Sequence, residues 1–252
     1  MLDPRTTDIR LPLWAIELWR ALHSVHNYRT AWSEGRGWIT TKRAEGHDIQ
    51  IFRKAERLLT TLPWNKLLDG PAAGVGRTTK HLIRFLSDEE WLSDALIDMM
   101  TAYLASQLST TQQDTIIVDT RFRDAIIGAK DIKYHDQPHH QLQEIEQSIG
   151  SRVRRLYAPM YTNNHYVAFE IDFRLKCFRW GDQRLNSNQR ALENLIEKLQ
   201  WWFSRRFGGE FDNRGPSLPH GSQKDHASCG LFAINTIEHN VFGQTLGVAN
   251  PA

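Results

Sequence analysis

Alternation of apolar and polar residues is clearest in the stretch that His165 opens. Every second residue there is apolar, which is typical of a half-buried strand, and the apolar positions are Val167, Phe169, Ile171 and Phe173. A second apolar run, from Leu175 to Trp180, follows almost at once. The two runs predict an antiparallel hairpin that turns between residues 173 and 174.

Helical periodicity dominates the N-terminal part of the chain. Leu13 to Thr30 and Ile49 to Leu62 have the apolar spacing of amphipathic helices. Between them, Gly35, Gly37 and Gly46 predict a connection. These two helices are rich in tryptophan and leucine, and we expect them to form an N-terminal helical extension.

A glycine-rich segment from Gly70 to Gly76 predicts a loop after this extension. We place a boundary there, which gives a helical extension at residues 1–76 and a second domain at 77–252. The segment does not fit a phosphate-binding loop. Five residues separate its outer glycines where four are required, and Arg77 stands where lysine belongs.

The second domain opens with a helix signal. Ser87 and Glu90 form a capping box for a helix that runs to about Gln107. Its apolar residues share one face, which we expect to be core, and they are Leu92, Leu96, Met99 and Tyr103.

Strand and helix signals then alternate. Strands are predicted at residues 114–119 and near Arg152, and helices at 137–149 and 188–207, the last of which ends at Gly208-Gly209. Together with the hairpin, they predict an α+β fold in which helices flank a central mixed or antiparallel sheet.

Another helical pattern begins at Cys229. Helical spacing continues through Phe232, Ala233, Thr236 and Ile237, so we expect Cys229 to lie in the first turn. A thiol attacks as its thiolate, and the free N–H groups and the dipole of a helix N-terminus favour that negative charge. The position therefore suits a nucleophile, although a lone cysteine is more often a small buried hydrophobic residue, as we expect for Cys177.

His165 and Asp182 supply the other parts of a nucleophile site. In the predicted hairpin they lie equally far from the turn, so Asp182 hydrogen-bonds one imidazole nitrogen while the other faces Cys229. Gln223, six residues before Cys229, is placed to stabilise an oxyanion together with the cysteine N–H. Each residue alone is more often structural, and the prediction rests on the four together.

This order of residues resembles the ubiquitin-like-protein-specific cysteine proteases, which remove SUMO and related modifiers. The resemblance lies in a histidine that opens a strand, an aspartate 17 residues later and a Gln-x5-Cys-Gly motif at a helix start. Leu86 to Asp94 also resembles the Trp-Leu-Asn-Asp stretch that opens the first helix of that catalytic domain. The match covers approximately residues 80 to 240.

The resemblance implies a papain-like cysteine protease-type fold and an isopeptidase that cuts after the Gly-Gly end of a SUMO-like or ubiquitin-like modifier. It also implies that Trp91 and Tyr166 form the walls of a narrow tunnel over that end, with tyrosine where tryptophan is commoner. Two flat apolar walls admit a backbone without side chains and exclude bulkier residues. Two other functions stay open, namely an acetyltransferase with a related Cys-His-acid site and a non-catalytic module that binds a modifier.

Composition restricts the setting and the partners. The net charge of +2 is too small to require nucleic acid, and the two cysteines do not make a disulfide framework. Met1 to Arg5 lacks the features of a signal peptide, and no segment has the roughly 20 apolar residues of a membrane span. We expect an intracellular protein, in the nucleus or the cytoplasm.

A histidine cluster raises the question of a metal site. His135, His139 and His140 lie near Asp136, but no second ligand pair with zinc spacing accompanies them. The proposed thiol chemistry needs no cofactor. We therefore expect neither a metal nor a cofactor.

Overall fold

The computed structural model describes residues 12–63, 67, 79–83, 85–87, 90–109, 112–131, 140–149, 153–162, 164–181, 189–223 and 227–244. The chain forms two compact units, one from residues 1–68 and 76–90 and the other from 69–75 and 91–252. Residues 76–90 thus group with the N-terminal helices, and the domain boundary after residue 76 stays a prediction. None of the described helices is both long and apolar enough to cross a membrane.

The first unit contains α1 (Leu13–Ala44), α2 (Ile49–Thr61) and α3 (Thr79–Ile83). The predicted end of the first helix near residue 30 is wrong, because the helix continues through Gly35 and Gly37.

A close contact explains one of these glycines. A Cβ atom on Gly35 would lie 2.9 Å from the side chain of Ile83, so the missing side chain lets α3 approach α1. Gly46 does lie in the connection between α1 and α2, as predicted, with a φ of 87° that suits glycine. Trp32 joins α1 to α2 by donating its indole N–H to the carbonyl of Leu59 at 3.1 Å.

The second unit is built around one sheet. Its elements are α4 (Asp94–Ser106), β1 (Thr115–Ile117), α5 (Arg121–Asp131), α6 (His140–Ile149), β2 (Arg155–Thr162), β3 (His165–Asp172), β4 (Cys177–Gly181), α7 (Gln189–Phe207), β5 (Asp212–Asn213) and α8 (Cys229–Phe242). The strands lie in the order β1-β2-β3-β4-β5. The inner pairs are antiparallel and the two outer pairs are parallel, so the sheet is mixed.

Helices cover both faces of the sheet. On one face, Val167, Phe169 and Ile171 of β3 pack in a core with α5, α6 and α7. On the other, Tyr166 and Ala168 pack in a second core with α4 and α8. The predicted α+β class, with helices on a mixed sheet and an N-terminal helical region, is confirmed.

The register of the β3–β4 hairpin differs from the prediction. Asp172 pairs with Cys177 and Ala168 with Gly181, so the turn is centred between residues 174 and 175, one residue later than expected. The Asp172 carboxylate accepts a hydrogen bond from the N–H of Leu175 at 2.7 Å, and Lys176 has a positive φ of 47°. This side-chain bond holds a four-residue turn that the apolar pattern does not indicate.

Helix α4 begins later and buries a different face than predicted. The Oγ of Ser87 accepts the N–H of Glu90 at 3.2 Å, as in a capping box, but the helix starts only at Asp94. The preceding residue, Ser93, is extended with a ψ of 156°. The buried residues of this helix are Ile97, Thr101 and Leu104, whereas Tyr103 is 57% exposed.

Most other predicted elements are confirmed. Strand β1, helices α6 and α7 and strand β2 lie where the pattern placed them, and Gly208 and Gly209 end α7 with positive φ angles. Cys177 is buried, as expected. The sequence did not predict α5 or β5. The glycine-rich segment, residues 70–76, lies outside the described residues.

The position of the buried face of α4 is testable with two neighbouring residues. Leu104→Ala should lower the free energy of unfolding by about 2–5 kcal/mol, because it empties a buried site. Tyr103→Ala should change it by less than about 1 kcal/mol, because this side chain is mostly in solvent. Urea unfolding followed by tryptophan fluorescence measures both. A larger loss for Tyr103→Ala would restore the face predicted from the sequence.

Candidate active site

Cys229 is the first residue of α8, as its spacing predicts. Its side chain is buried, at 3% exposure, in the core that α8 shares with β3 and α4. The preceding residue, Ser228, makes no side-chain cap to the helix. The thiol therefore lies where the unpaired N–H groups of the first turn favour negative charge.

His165 is the first residue of β3, and a tight turn places it there. Thr162 and His165 are cross-strand partners, so only two residues connect β2 to β3. The second of them, Asn164, has a φ of 62°, and its side chain accepts the hydroxyl of Tyr161 at 2.8 Å. A two-residue turn with positive φ suits the twist of a hairpin, and asparagine tolerates it.

The structure brings His165 and Cys229 together. The histidine side chain hydrogen-bonds the thiol, and the backbones of Tyr166 and Gly230 do so as well. Burial raises the pKa of Cys229, but these hydrogen bonds and the charge of His165 outweigh it, so the pKa lies below that of an ordinary thiol. A lowered pKa increases the thiolate fraction, and the thiolate is the form of cysteine that attacks as a nucleophile.

Gly230 lets α4 approach the nucleophile. A Cβ atom at this position would lie 2.6 Å from Cδ1 of Ile97 and 3.4 Å from Cβ of Leu92. A larger residue after Cys229 would force the Ile97 side chain, or the helix that carries it, to shift. Trp91 precedes Leu92 and is 47% exposed, so its side chain is not part of the core.

Tyr166 is anchored to helix α4 by a side-chain hydrogen bond. Its hydroxyl donates a hydrogen bond to the carboxylate of Asp94, the first residue of that helix. Burial, together with this bond, raises the pKa of Tyr166 far above its usual value, so the phenol stays protonated and donates. Its ring lies 5.1 Å from that of Tyr161. Asp94 was part of the matched stretch, but no sequence pattern assigned it a contact.

The other predicted site residues have different outcomes. Gln223 lies in the described segment before α8 and is half-buried, and its role at an oxyanion stays a prediction. Because the hairpin turns one residue later than predicted, His165 and Asp182 are not equally far from the turn, as the sequence argument had assumed. Asp182 itself follows the last residue of β4 and lies outside the described residues, as do His135, Asp136 and His139. Within the described ranges, no group of three potential ligands could hold a metal ion.

Solved structures with the same arrangement of elements are known. SUMO protease Ulp1 with its catalytic cysteine oxidised to a sulfenic acid gives a TM-score of 0.57 at 14% identity, over 86% of this chain and 85% of that one. The chain has the fold of Ulp1. The sulfinic acid form of Ulp1 gives 0.56 at 17% identity, over 72% and 78% of the two chains. No protein-family model and no curated protein matches the sequence.

The lowered thiol pKa predicts how reactivity depends on pH. In a Cys177→Ser background, alkylation of Cys229 by iodoacetamide should persist below the pH at which a free thiol loses its reactivity. His165→Ala should shift the profile to higher pH. Burial raises the pKa of the thiol, and this variant removes the histidine hydrogen bond and charge that lower it. Mass spectrometry of the alkylated protein gives the rates. An unchanged profile in His165→Ala would remove the histidine from the site.

The contact between Tyr166 and Asp94 predicts a difference between two tyrosines. Tyr166→Phe should lower the free energy of unfolding by about 1–2 kcal/mol, because it removes a part-buried hydrogen bond to a charged group. Tyr161→Phe removes an exposed hydroxyl bond to Asn164 and should cost less than about 0.5 kcal/mol. Urea unfolding of both variants tests this, and equal values would contradict it.

Proposed function

We propose that this chain is a ubiquitin-like-protein-specific cysteine protease, which cuts after the C-terminal Gly-Gly of a SUMO-like or ubiquitin-like modifier. The observation that carries the proposal is the hydrogen bond between His165 and a Cys229 thiol of lowered pKa at the start of a helix. The Ulp1 fold of the chain supports the same class of enzyme.

The first half of the reaction is acyl transfer to sulfur. His165 takes the proton of Cys229, and the thiolate attacks the carbonyl carbon of the terminal glycine. The C–N bond then breaks, and the leaving amine takes the proton from the imidazolium. The products of this step are a thioester on Cys229 and a free lysine or peptide amine.

The second half returns the enzyme to its starting state. His165 takes a proton from water, and the hydroxide attacks the thioester carbon. The C–S bond breaks, Cys229 regains the proton, and the modifier leaves with a free carboxylate. In both halves Gln223 and the Cys229 N–H stabilise the oxyanion, while Asp182 holds the imidazole in the reactive tautomer.

Selection for Gly-Gly is proposed to come from Trp91 and Tyr166. Trp91 is exposed next to the residue that contacts Gly230, and Tyr166 touches the thiol through its backbone. Both aromatic residues therefore belong to segments that border the nucleophile. A passage between two flat side chains admits glycine and excludes bulkier residues.

The test is covalent capture by modifiers that carry a thiol-reactive group at the C-terminal glycine. A panel of SUMO, ubiquitin and other modifiers is incubated with the wild-type protein, with Cys229→Ala and with Cys177→Ser. We expect one class of modifier to couple to the wild type and to Cys177→Ser, but not to Cys229→Ala. The Cys177→Ser variant is the matched control, because it removes the other cysteine and keeps the nucleophile.

Three outcomes would overturn the proposal. Coupling that survives in Cys229→Ala would show that another group is the nucleophile. Absence of coupling from a folded protein, with Cys229 instead labelled by an acetyl donor, would assign acyl transfer. Binding of an unreactive modifier without any labelling would assign a binding module.

A further inference from the structure

A charged surface lies at the end of β3 opposite the candidate active site. One row of paired residues crosses all five strands there, namely Thr115, Arg155, Asp172, Cys177 and Asp212. Strand β3 has His165 at one end and Asp172 at the other, which separates them by about 23 Å at the usual rise of a strand. The surface is therefore separate from the thiol site.

Two cavities open at this end of the sheet. The described lining of the smaller one, about 270 Å³ in volume, has five arginines against three carboxylates, and the arginines are Arg154, Arg155, Arg174, Arg179 and Arg214. The larger one, about 550 Å³, shares Arg154 and Arg174 and adds Lys176 and Arg206 against Glu146. Positive charge exceeds negative charge around both cavities.

Several of these charges are already paired. Glu170 accepts from Arg179 at 2.9 Å and from the hydroxyl of Tyr157 at 3.0 Å. Arg206 contacts Glu146 at 3.1 Å. These pairs neutralise Glu170 and Glu146, so that Asp114 and Asp172 are the other carboxylates of the described linings, and they leave other cations to act on an anion.

Arg154 and Arg174 are the two cations that line both cavities, and neither belongs to the pairs just described. Both are exposed, and within the described part of the chain neither side chain has an ion pair or a hydrogen bond. Their backbones are fixed relative to each other, because the N–H of Phe173 donates to the carbonyl of Arg154 at 2.8 Å. The two guanidinium groups thus extend from adjacent, hydrogen-bonded segments.

We propose that Arg154 and Arg174 bind a phosphate group of a small ligand that carries several phosphates. A guanidinium group offers a planar pair of donors that matches phosphate oxygens, and two of them fit one dianion. The larger cavity, at about 550 Å³, falls within the roughly 300–1,000 Å³ usual for small-molecule sites, and the smaller one adjoins it across the shared arginines. Further phosphates of the ligand lie toward Arg155 and Arg214 in the smaller cavity.

Calorimetric titration with inorganic tripolyphosphate at constant ionic strength tests this site. We expect saturable binding to the full chain and to Cys229→Ala, because the site does not involve the thiol. Arg154→Gln combined with Arg174→Gln should weaken binding by at least about tenfold, since each loses charged hydrogen bonds. Arg190→Gln, at an exposed arginine that lines neither cavity, should bind as the wild type does.

A second double variant separates loss of binding from loss of structure. Arg154→Lys with Arg174→Lys keeps the charge and removes the planar fork, so it should weaken binding less than the glutamine pair does. Thermal unfolding without ligand should be alike in all variants. Equal affinity in the wild type and the glutamine pair, or no saturable binding to the wild type, would overturn the proposal.

The phosphate source is distinguished by a single-stranded oligonucleotide of random sequence. Tighter binding of the oligonucleotide than of tripolyphosphate, lost in the glutamine pair, would replace the small ligand with a nucleic acid backbone. Weaker binding of the oligonucleotide supports the small-ligand site. Failure of the modifier assay with Cys229 leaves the tripolyphosphate result unaffected, so the two proposals are tested separately.

Discussion

The position of α8 on the sheet depends on residues with little or no side chain. A Cβ atom on Gly230 would lie 2.6 Å from a side chain of α4, and one on Gly181 would lie 2.9 Å from Thr236 of α8. Ala168 and Ala233 are buried in the same core. Because interiors are close-packed, larger residues at these sites would displace the helix and with it the thiol. The distance between nucleophile and base therefore depends on the close packing around α8 as well as on the two side chains.

Local periodicity predicted the elements whose burial repeats regularly along the chain. Strand β3 and helix α7 were found because one face of each is continuously apolar. The prediction ended helix α1 too early, because a glycine such as Gly35 usually interrupts a helical pattern. In the structure this glycine makes room for Ile83, 48 residues later in the chain. The predicted hairpin register was wrong by one residue, because the side chain of Asp172 holds the turn through a hydrogen bond. Neither cause is visible in a hydrophobic pattern.

The residues of the candidate site also divide into those that the sequence could identify and those that it could not. Cys229 and His165 could be paired from sequence because a thiol at a helix start needs an imidazole and few histidines open a strand. The support for Tyr166 was missed, since its partner Asp94 lies 72 residues earlier and any aspartate in a first turn is explained by the helix dipole alone. Chemistry identifies reactive groups, whereas the groups that hold them are found only in three dimensions.

The edges of the sheet limit how this protein recognises other chains. The described edge strands, β1 and β5, are three and two residues long. An extended peptide that binds by adding a strand needs a longer row of unpaired backbone groups at such an edge. Strand addition at these two edges is therefore a poor route to a partner, and recognition falls to side-chain surfaces and cavities. The same short edges offer little template for sheet-to-sheet aggregation.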